Sequence, residues 1–225
     1  MELPDKIHEI RNRIADAAVR SGRKADDVTL LAVTKTFPAA TVRQAYEAGL
    51  REFGENRIQE ALLKIAEMPP DIRWHLIGKL QTNKINKMMG KFSLVHSLDS
   101  LPLGKALSVR LGPRSQDVLL EVNTSGEGTK AGVEPGAALG LAEEIFRLPG
   151  LNLKGLMTVG PLTDNPQIQR KAFKRLKELF EAIKSKGFAG PRFSILSMGM
   201  SGDFETAIEE GSTLVRVGTA IFGAR

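Results

Sequence analysis

Lys35 is the residue of this sequence best suited to covalent chemistry. It ends an apolar run, Val28-Thr-Leu-Leu-Ala-Val-Thr-Lys, that is typical of a buried strand. A lysine at the end of such a strand is partly desolvated, which favours the neutral amine, and a neutral amine can attack an aldehyde to form a Schiff base. Because buried lysines are rare, Lys35 alone would favour a solvated strand-end lysine. The rest of the chain reverses that preference.

Two turns rich in small residues could bind a phosphate group. The first is Ser197-Met-Gly-Met-Ser201, and the second is Gly218-Thr219. Backbone N–H groups and hydroxyls in such turns bind phosphate oxygens. The alternative is that Ser201 only caps a helix and Gly218 only makes a turn. Two such turns on neighbouring strands favour the phosphate site.

Three polar residues near predicted strand ends have open roles. Arg216 alternates with apolar neighbours, so it faces into a barrel if they face the helices, and either a ligand ring nitrogen or a buried carboxylate could be its partner. His75 is interpreted as a hydrogen-bonded core histidine rather than a proton shuttle. Asn56 could form a helix N-cap with Gln59 completing a capping box, or it could face a ligand.

Short β-branched runs alternate with longer segments of helical period along nearly the whole chain. The predicted strands are Val28–Lys35, Arg51–Gly54, Ile72–Ile77, Ser93–His96, Val118–Asn123, Leu153–Val159, Arg192–Leu196 and Thr213–Val217. The predicted helices are one over residues 3–14, then Ala39–Ala48, Arg57–Glu67, Gln81–Met89, Leu101–Leu111, Pro135–Leu148, Pro166–Lys186 and Asp203–Glu210.

Eight strands with seven intervening helices predict a closed (β/α)8 barrel, of the α/β class, formed as a single domain over residues 1–225. We expect the N-terminal helix to cover the flank that an eighth barrel helix would otherwise cover. Catalysis and binding in such barrels occur at the carboxyl ends of the strands. Those ends carry Lys35 and a ring of small hydrogen-bonding groups, without an obvious carboxylate pair or metal cluster.

Composition narrows the class of protein. The 225 residues are 42% hydrophobic and 26% charged, with no cysteine and no apolar run long enough to span a membrane. The N-terminus does not resemble a signal peptide, so a cytoplasmic location is expected. The net charge of +6 could suit nucleic acid. Because basic and acidic residues are interspersed and aromatics are few, an anionic small molecule is the better-supported partner.

The motifs together resemble the pyridoxal phosphate homeostasis proteins, single-domain relatives of the alanine racemase barrel with fold-type III binding of pyridoxal phosphate. The resemblance covers essentially the full length of the chain. It rests on Ala-Val-Thr-Lys35, Phe53-Gly-Glu-Asn-Arg-Ile-Gln-Glu, Trp74-His-Leu-Ile-Gly-Lys-Leu-Gln-Thr-Asn-Lys, Gly155-Leu-Met-Thr, Leu196-Ser-Met-Gly-Met-Ser and Val215-Arg-Val-Gly-Thr-Ala-Ile-Phe-Gly-Ala-Arg.

The resemblance implies that Lys35 forms a Schiff base with pyridoxal 5′-phosphate, and that no residue is catalytic. It further implies a phosphate cup of Ser201, Gly218 and Thr219, with Ser197 and Met200 lining the same turn. Arg216 is similar to the arginine that faces the pyridine nitrogen in this fold type, and Asn56 and Met157 look like ring-flanking groups. The implied role is to buffer the cofactor or deliver it to apo-enzymes, as a monomer, and to maintain vitamin B6 and amino-acid balance.

Three other functions compete with this one. A racemase or decarboxylase of the same fold type would also use the cofactor. An aldolase would use Lys35 on a sugar phosphate without a cofactor, and a basic scaffold would recognise a protein or RNA. Efficient racemisation needs acid–base groups on both faces of the substrate, but the only tyrosine, Tyr46, is predicted on the first barrel helix.

Overall fold

The computed structural model describes residues 2–128 and 130–223. Eight parallel strands form a closed barrel in chain order, and β8 pairs with β1. The strands are β1 (Thr29–Val33), β2 (Glu52–Glu55), β3 (Arg73–Leu76), β4 (Leu94–Leu98), β5 (Gln116–Glu121), β6 (Leu151–Met157), β7 (Ile195–Met200) and β8 (Leu214–Val217). The prediction of a (β/α)8 barrel is confirmed.

Nine α-helices lie within the described residues. They are α1 (Leu3–Arg20), α2 (Ala39–Glu47), α3 (Ile58–Glu67), α4 (Ile85–Met88), α5 (Leu101–Leu111), α6 (Pro135–Phe146), α7 (Pro166–Ser185), α8 (Phe204–Glu209) and α9 (Thr219–Phe222). Helix α1 packs against α8 and α9, on the flank where the sequence placed it. The short α9 after β8 was not predicted.

Successive side chains along each strand point alternately out toward the helices and into the barrel, so the apolar side chains form an outer and an inner layer. Outward side chains such as Val215 and Val217 belong to the large core between the strands and the helices. Leu94, Leu119 and Met157 form a small separate cluster on the inner face. The barrel interior also holds polar side chains, and these build the site described below.

Several predicted boundaries were wrong, including those of β5 and β6, which start and end two residues earlier than predicted, and three further differences bear on the site. Strand β1 ends at Val33, so Lys35 lies in the following turn. Residues 81–89 form a 3-10 turn, Thr82–Lys84, and a four-residue helix instead of one continuous helix. Strand β7 starts later than predicted, and it also ends later because it runs through Gly199. The φ of Gly199 is 95°, which is accessible mainly to glycine, and a Cβ there would come within 2.6 Å of the Ala207 side chain.

Candidate functional site

Lys35 lies at the carboxyl end of the barrel, two residues after β1, and it is half-buried. The next residue, Thr36, has a φ of 70°, which is unusual for a β-branched side chain. The backbone N–H of Thr36 donates a hydrogen bond to Glu60 Oε1 on α3, at 2.5 Å. The turn that carries the lysine is therefore held in a sparsely populated conformation by a contact to the neighbouring helix.

A buried charge cluster anchors the other side of this turn. Lys64 Nζ donates hydrogen bonds to the Thr34 carbonyl oxygen at 2.8 Å, to Glu55 Oε1 at 2.7 Å and to Glu60 Oε1 at 2.8 Å. The Thr34 hydroxyl donates to Glu55 Oε1 at 2.6 Å. Both neighbours of Lys35 in the sequence are thus tied to side chains of β2 and α3.

Glu55 is fully buried, and burial raises the pKa of its carboxyl group even though hydrogen bonds from Lys64 and Thr34 oppose the shift. Its Oε2 atom has no hydrogen-bond partner within the described part of the chain. Such a carboxylate is stable there only because Lys64 compensates its charge.

Arg216 points into the barrel, as the alternation on β8 predicted. Its Nη1 donates to the carbonyl oxygen and the hydroxyl of Ser197, at 2.8 and 2.7 Å, and its Nη2 donates to the Thr158 carbonyl oxygen at 2.8 Å. Among the described residues no carboxylate lies within ion-pair distance of it, so the structural ion pair considered from the sequence is not formed there. Burial lowers the pKa of Arg216 to about 10, although Asp203 and Glu121 oppose the shift, so the guanidinium remains charged at neutral pH.

The two small-residue turns after β7 and β8 meet through one hydroxyl. Ser201 Oγ accepts hydrogen bonds from the backbone N–H groups of Gly218 at 3.2 Å and Ala220 at 3.3 Å. Ser201 does not cap α8, whose N-cap is Asp203. A Cβ at position 218 would lie 3.2 Å from the Val33 carbonyl oxygen, so glycine permits this turn to pack against the end of β1.

The other residues implied by the resemblance are distributed unevenly. Thr219 and Met200 are exposed at the rim, whereas Met157 is almost fully buried in the inner apolar cluster. Ser197 is completely buried and contacts Arg216, so it can act on a ligand only through that residue. Asn56 is half-buried just after β2.

Asn56 is not a helix cap. The N-cap of α3 is Arg57, without a side-chain cap, so the capping box with Gln59, one of the two roles left open for Asn56, is not formed. A Cβ on Gly78 would lie only 2.2 Å from the Asn56 carbonyl oxygen. The backbone of the β3 loop therefore packs directly on Asn56, which fixes its position at the carboxyl end of the barrel.

Sequence reasoning missed Glu121. It lies at the end of β5, paired with Met157 in register, and is 7% exposed. Burial and the nearby charge of Asp99 raise the pKa of Glu121 to about 7, with Arg216 and Lys79 acting in the opposite direction. An acidic residue in the apolar stretch Val118–Val122 was the available signal, because only an inward-facing position with a polar environment accommodates it.

His75 is a buried histidine with hydrogen bonds on both ring nitrogens, as the sequence interpretation expected. It contacts Glu52 at 2.7 Å and His96 at 2.9 Å. The involvement of His96 and Glu52 was not foreseen.

In the described residues no group of three or more His, Cys, Asp or Glu side chains is placed to hold a metal ion. No helix there has both the length and the apolar character needed to cross a membrane.

Comparison with known proteins identifies the family. Residues 7–225 match the family model described as alanine racemase, N-terminal domain. Proteins named pyridoxal phosphate homeostasis protein are 43% identical in Aquifex aeolicus, over 100% of this chain and 99% of that protein, and 45% identical in Pseudomonas aeruginosa, over 99% and 96%. The chain belongs to the pyridoxal phosphate homeostasis protein family.

Solved structures agree with this family membership. The structure of PipY from Synechococcus elongatus with PLP bound has a TM-score of 0.83 at 34% identity, over 99% of this chain and 100% of that chain. An alanine racemase from Clostridium difficile 630 has a TM-score of 0.80 at 13% identity, and the match covers 98% of this chain but 57% of the racemase. The racemase is therefore similar in fold alone.

Proposed function

We propose that this protein binds pyridoxal 5′-phosphate reversibly through a covalent bond to Lys35 and serves to buffer the cofactor or pass it to apo-enzymes. The observation that carries the proposal is the full-length similarity to homeostasis proteins, one relative of which is solved with PLP bound. The site described above supplies groups suited to each part of that molecule.

The residues present fit the cofactor. Ser201 follows β7, Arg216 belongs to β8 and Lys35 follows β1. These three strands are consecutive in the barrel. Lys35 would take the aldehyde, which is the electrophilic carbon that the cofactor supplies. The N–H groups of Gly218 and Ala220 both point toward Ser201 Oγ, and in this proposal they would donate to phosphate oxygens when the cofactor binds. Thr219 lies at the rim beside them.

Arg216 is suited to the ring nitrogen. Three of its five N–H donors are used by Ser197 and Thr158, and Nε donates to no described residue. A charged arginine only donates, so it favours an unprotonated ring nitrogen. Asn56 and Met157, the other proposed ring contacts, lie at the ends of β2 and β6.

We infer further that the protein is not an efficient racemase. Tyr46 donates a hydrogen bond to Asp71 and packs on Arg51, the residue that precedes β2, so it lies at the pole of the barrel opposite to Lys35. An unprotonated ring nitrogen also weakens stabilisation of a carbanion. The proposal places the role in the cytoplasm, as a monomer, and the lack of cysteine fits a reducing compartment.

Titration of the purified protein with pyridoxal phosphate, followed by absorbance, tests the proposal. We expect saturable binding with a new absorption band that a large excess of a competing amine removes. Absence of saturable binding would contradict the proposal and favour the aldolase or the scaffold.

A further inference from the structure

A continuous chain of hydrogen-bonded side chains runs through the barrel interior to Arg216. The consecutive contacts are Glu52 Oε2 to His75 Nε2 at 2.7 Å, His75 Nδ1 to His96 Nε2 at 2.9 Å, His96 Nδ1 to Ser197 Oγ at 3.0 Å, and Ser197 Oγ to Arg216 Nη1 at 2.7 Å. His96 and Ser197 have no exposed surface. The chain therefore connects β2, β3, β4, β7 and β8 across the interior.

The two ends of the chain have fixed roles. Arg216 can only donate hydrogen bonds, and an ionised Glu52 can only accept them. Burial acts to raise the pKa of Glu52, but hydrogen bonds from His75 and Arg73 outweigh it and leave the pKa below the usual value. Glu52 is thus ionised at neutral pH.

If each imidazole ring carries one proton, these ends permit a single arrangement of protons. Glu52 accepts from His75 Nε2–H, so His75 Nδ1 is an acceptor and takes the proton of His96 Nε2–H. His96 Nδ1 then accepts from the Ser197 hydroxyl. Burial, which is the largest cause, and the charge of Arg216 hold the pKa of His96 well below its usual value, which keeps its ring neutral.

This arrangement determines the orientation of the Ser197 hydroxyl. Because its proton is donated to His96, the oxygen lone pairs are left to accept from Arg216 Nη1, which lies 2.7 Å from Ser197 Oγ. Without an acceptor at His96, the hydroxyl could rotate its proton toward the guanidinium and lose this bond. The direction of hydrogen-bond donation along these side chains therefore affects how Arg216 is held.

We propose that His96, held in one tautomer by His75 and Glu52, is a positioning residue that fixes Ser197 as an acceptor and so orients Arg216 toward the ring nitrogen of the cofactor. The inference rests on the proposed function for its ligand. The end of the hydrogen-bonded side chains at His75 faces the pole of the barrel opposite to Lys35, where His75 and Arg73 line a cavity of about 1100 Å³.

The proton arrangement can be measured without the cofactor. In protein with ¹⁵N-labelled histidine, long-range ¹⁵N–¹H correlations distinguish protonated from bare ring nitrogens. We expect His75 and His96 to carry the proton on Nε2 alone, with the exposed His8 as an internal reference. A proton on Nδ1 of either buried ring would overturn the proposed direction of the chain.

The effect on the ligand is tested with two substitutions at one position. His96→Leu removes the acceptor, whereas His96→Asn can present a side-chain oxygen near the place of Nδ1. We expect His96→Leu to weaken binding of pyridoxal phosphate by about 10-fold, the usual effect of a hydrogen bond to a charged group. His96→Asn should restore most of that loss. Ser197→Ala should weaken binding as His96→Leu does, and it replaces His96→Leu if that variant does not fold.

An analogue of the cofactor in which carbon replaces the ring nitrogen separates positioning from general damage to the fold. The substitutions should weaken binding of pyridoxal phosphate but leave binding of this analogue within about 2-fold of the wild type, because the analogue has no acceptor for Arg216. Equal losses for both ligands would overturn the positioning role while leaving the proposed function intact. Failure of the wild-type protein to bind pyridoxal phosphate would instead contradict the proposed function, and this inference with it.

Discussion

Lys64 donates a hydrogen bond to the carbonyl oxygen of Thr34, the residue before Lys35, at 2.8 Å. The same ammonium group contacts the buried Glu55 at 2.7 Å. The position of the reactive lysine therefore depends on a second lysine that is itself buried. Covalent chemistry and the local stability of the site are coupled through this cluster.

Loss of Lys64 should be costly because it leaves Glu55 buried and uncompensated. We expect Lys64→Met to lower the free energy of unfolding by about 3–5 kcal/mol. The double variant Lys64→Met/Glu55→Leu should be more stable than Lys64→Met, since it removes the orphaned charge. Urea denaturation measures both, with exposed Lys87→Met as the control. A double variant less stable than the single one would contradict this account.

Glu121 should make stability decrease as pH rises. Its pKa of about 7 in the folded protein exceeds the ordinary value of 4.5, so the folded state binds this proton more tightly than the unfolded state. The contribution is present below pH 4.5 and is lost as pH rises to about 7. We expect Glu121→Gln to reduce the loss of unfolding free energy between pH 5 and 8 by about 2–3 kcal/mol.

Urea denaturation at several pH values checks this prediction. Exposed Glu9→Gln serves as the matched control, because it removes a carboxylate without altering the barrel interior. An identical pH profile for the wild type and Glu121→Gln would show that Glu121 does not titrate in this range.

The phosphate should be bound mainly by the turns after β7 and β8. Ser201→Ala and Thr219→Ala should each weaken binding of pyridoxal phosphate by about 1–3 kcal/mol, as expected for hydrogen bonds to a charged group. Binding of pyridoxal, which lacks the phosphate, should change little. Dissociation constants for both compounds provide the test, and equal affinity of the wild type for the two would exclude a phosphate cup.

Racemisation of alanine should be slow or undetectable. Each missing general acid–base group typically reduces the rate by about 10²–10⁴-fold, and Tyr46 is bound to Asp71 at the opposite pole. Exchange at Cα in deuterated water, with L- and D-alanine, measures the reaction. Turnover near about 10 per second, which is typical of enzymes, would support the racemase instead.

The sequence was sufficient to predict the barrel because the strands and the helices are each specified by local patterns of apolar residues. Apolar strands alternate with amphipathic helices, and a parallel sheet of this kind closes in few ways. Lys35 could be found from its place just after strand β1, and Arg216 from its place in strand β8. The inward direction of Arg216 followed directly from alternation with Val215 and Val217.

The partners of these residues could not be predicted in the same way. Lys64 meets Thr34 across 30 positions, and His96 meets Ser197 across 101. Such contacts depend on which strands are adjacent and on their register, and a polar residue inside an apolar strand shows only that it needs a partner. The end of β7 was misplaced for a similar reason, since Gly199 suggests a loop but lies within the strand.

The most direct test of the central claim is to identify the residue that carries the cofactor. The protein is loaded with pyridoxal phosphate, reduced with borohydride, digested and mapped by mass spectrometry. The account predicts a single modified lysine, Lys35, and no absorption band or modification at the site in Lys35→Ala. Modification of another lysine in the wild type, with the band retained in Lys35→Ala, would contradict it.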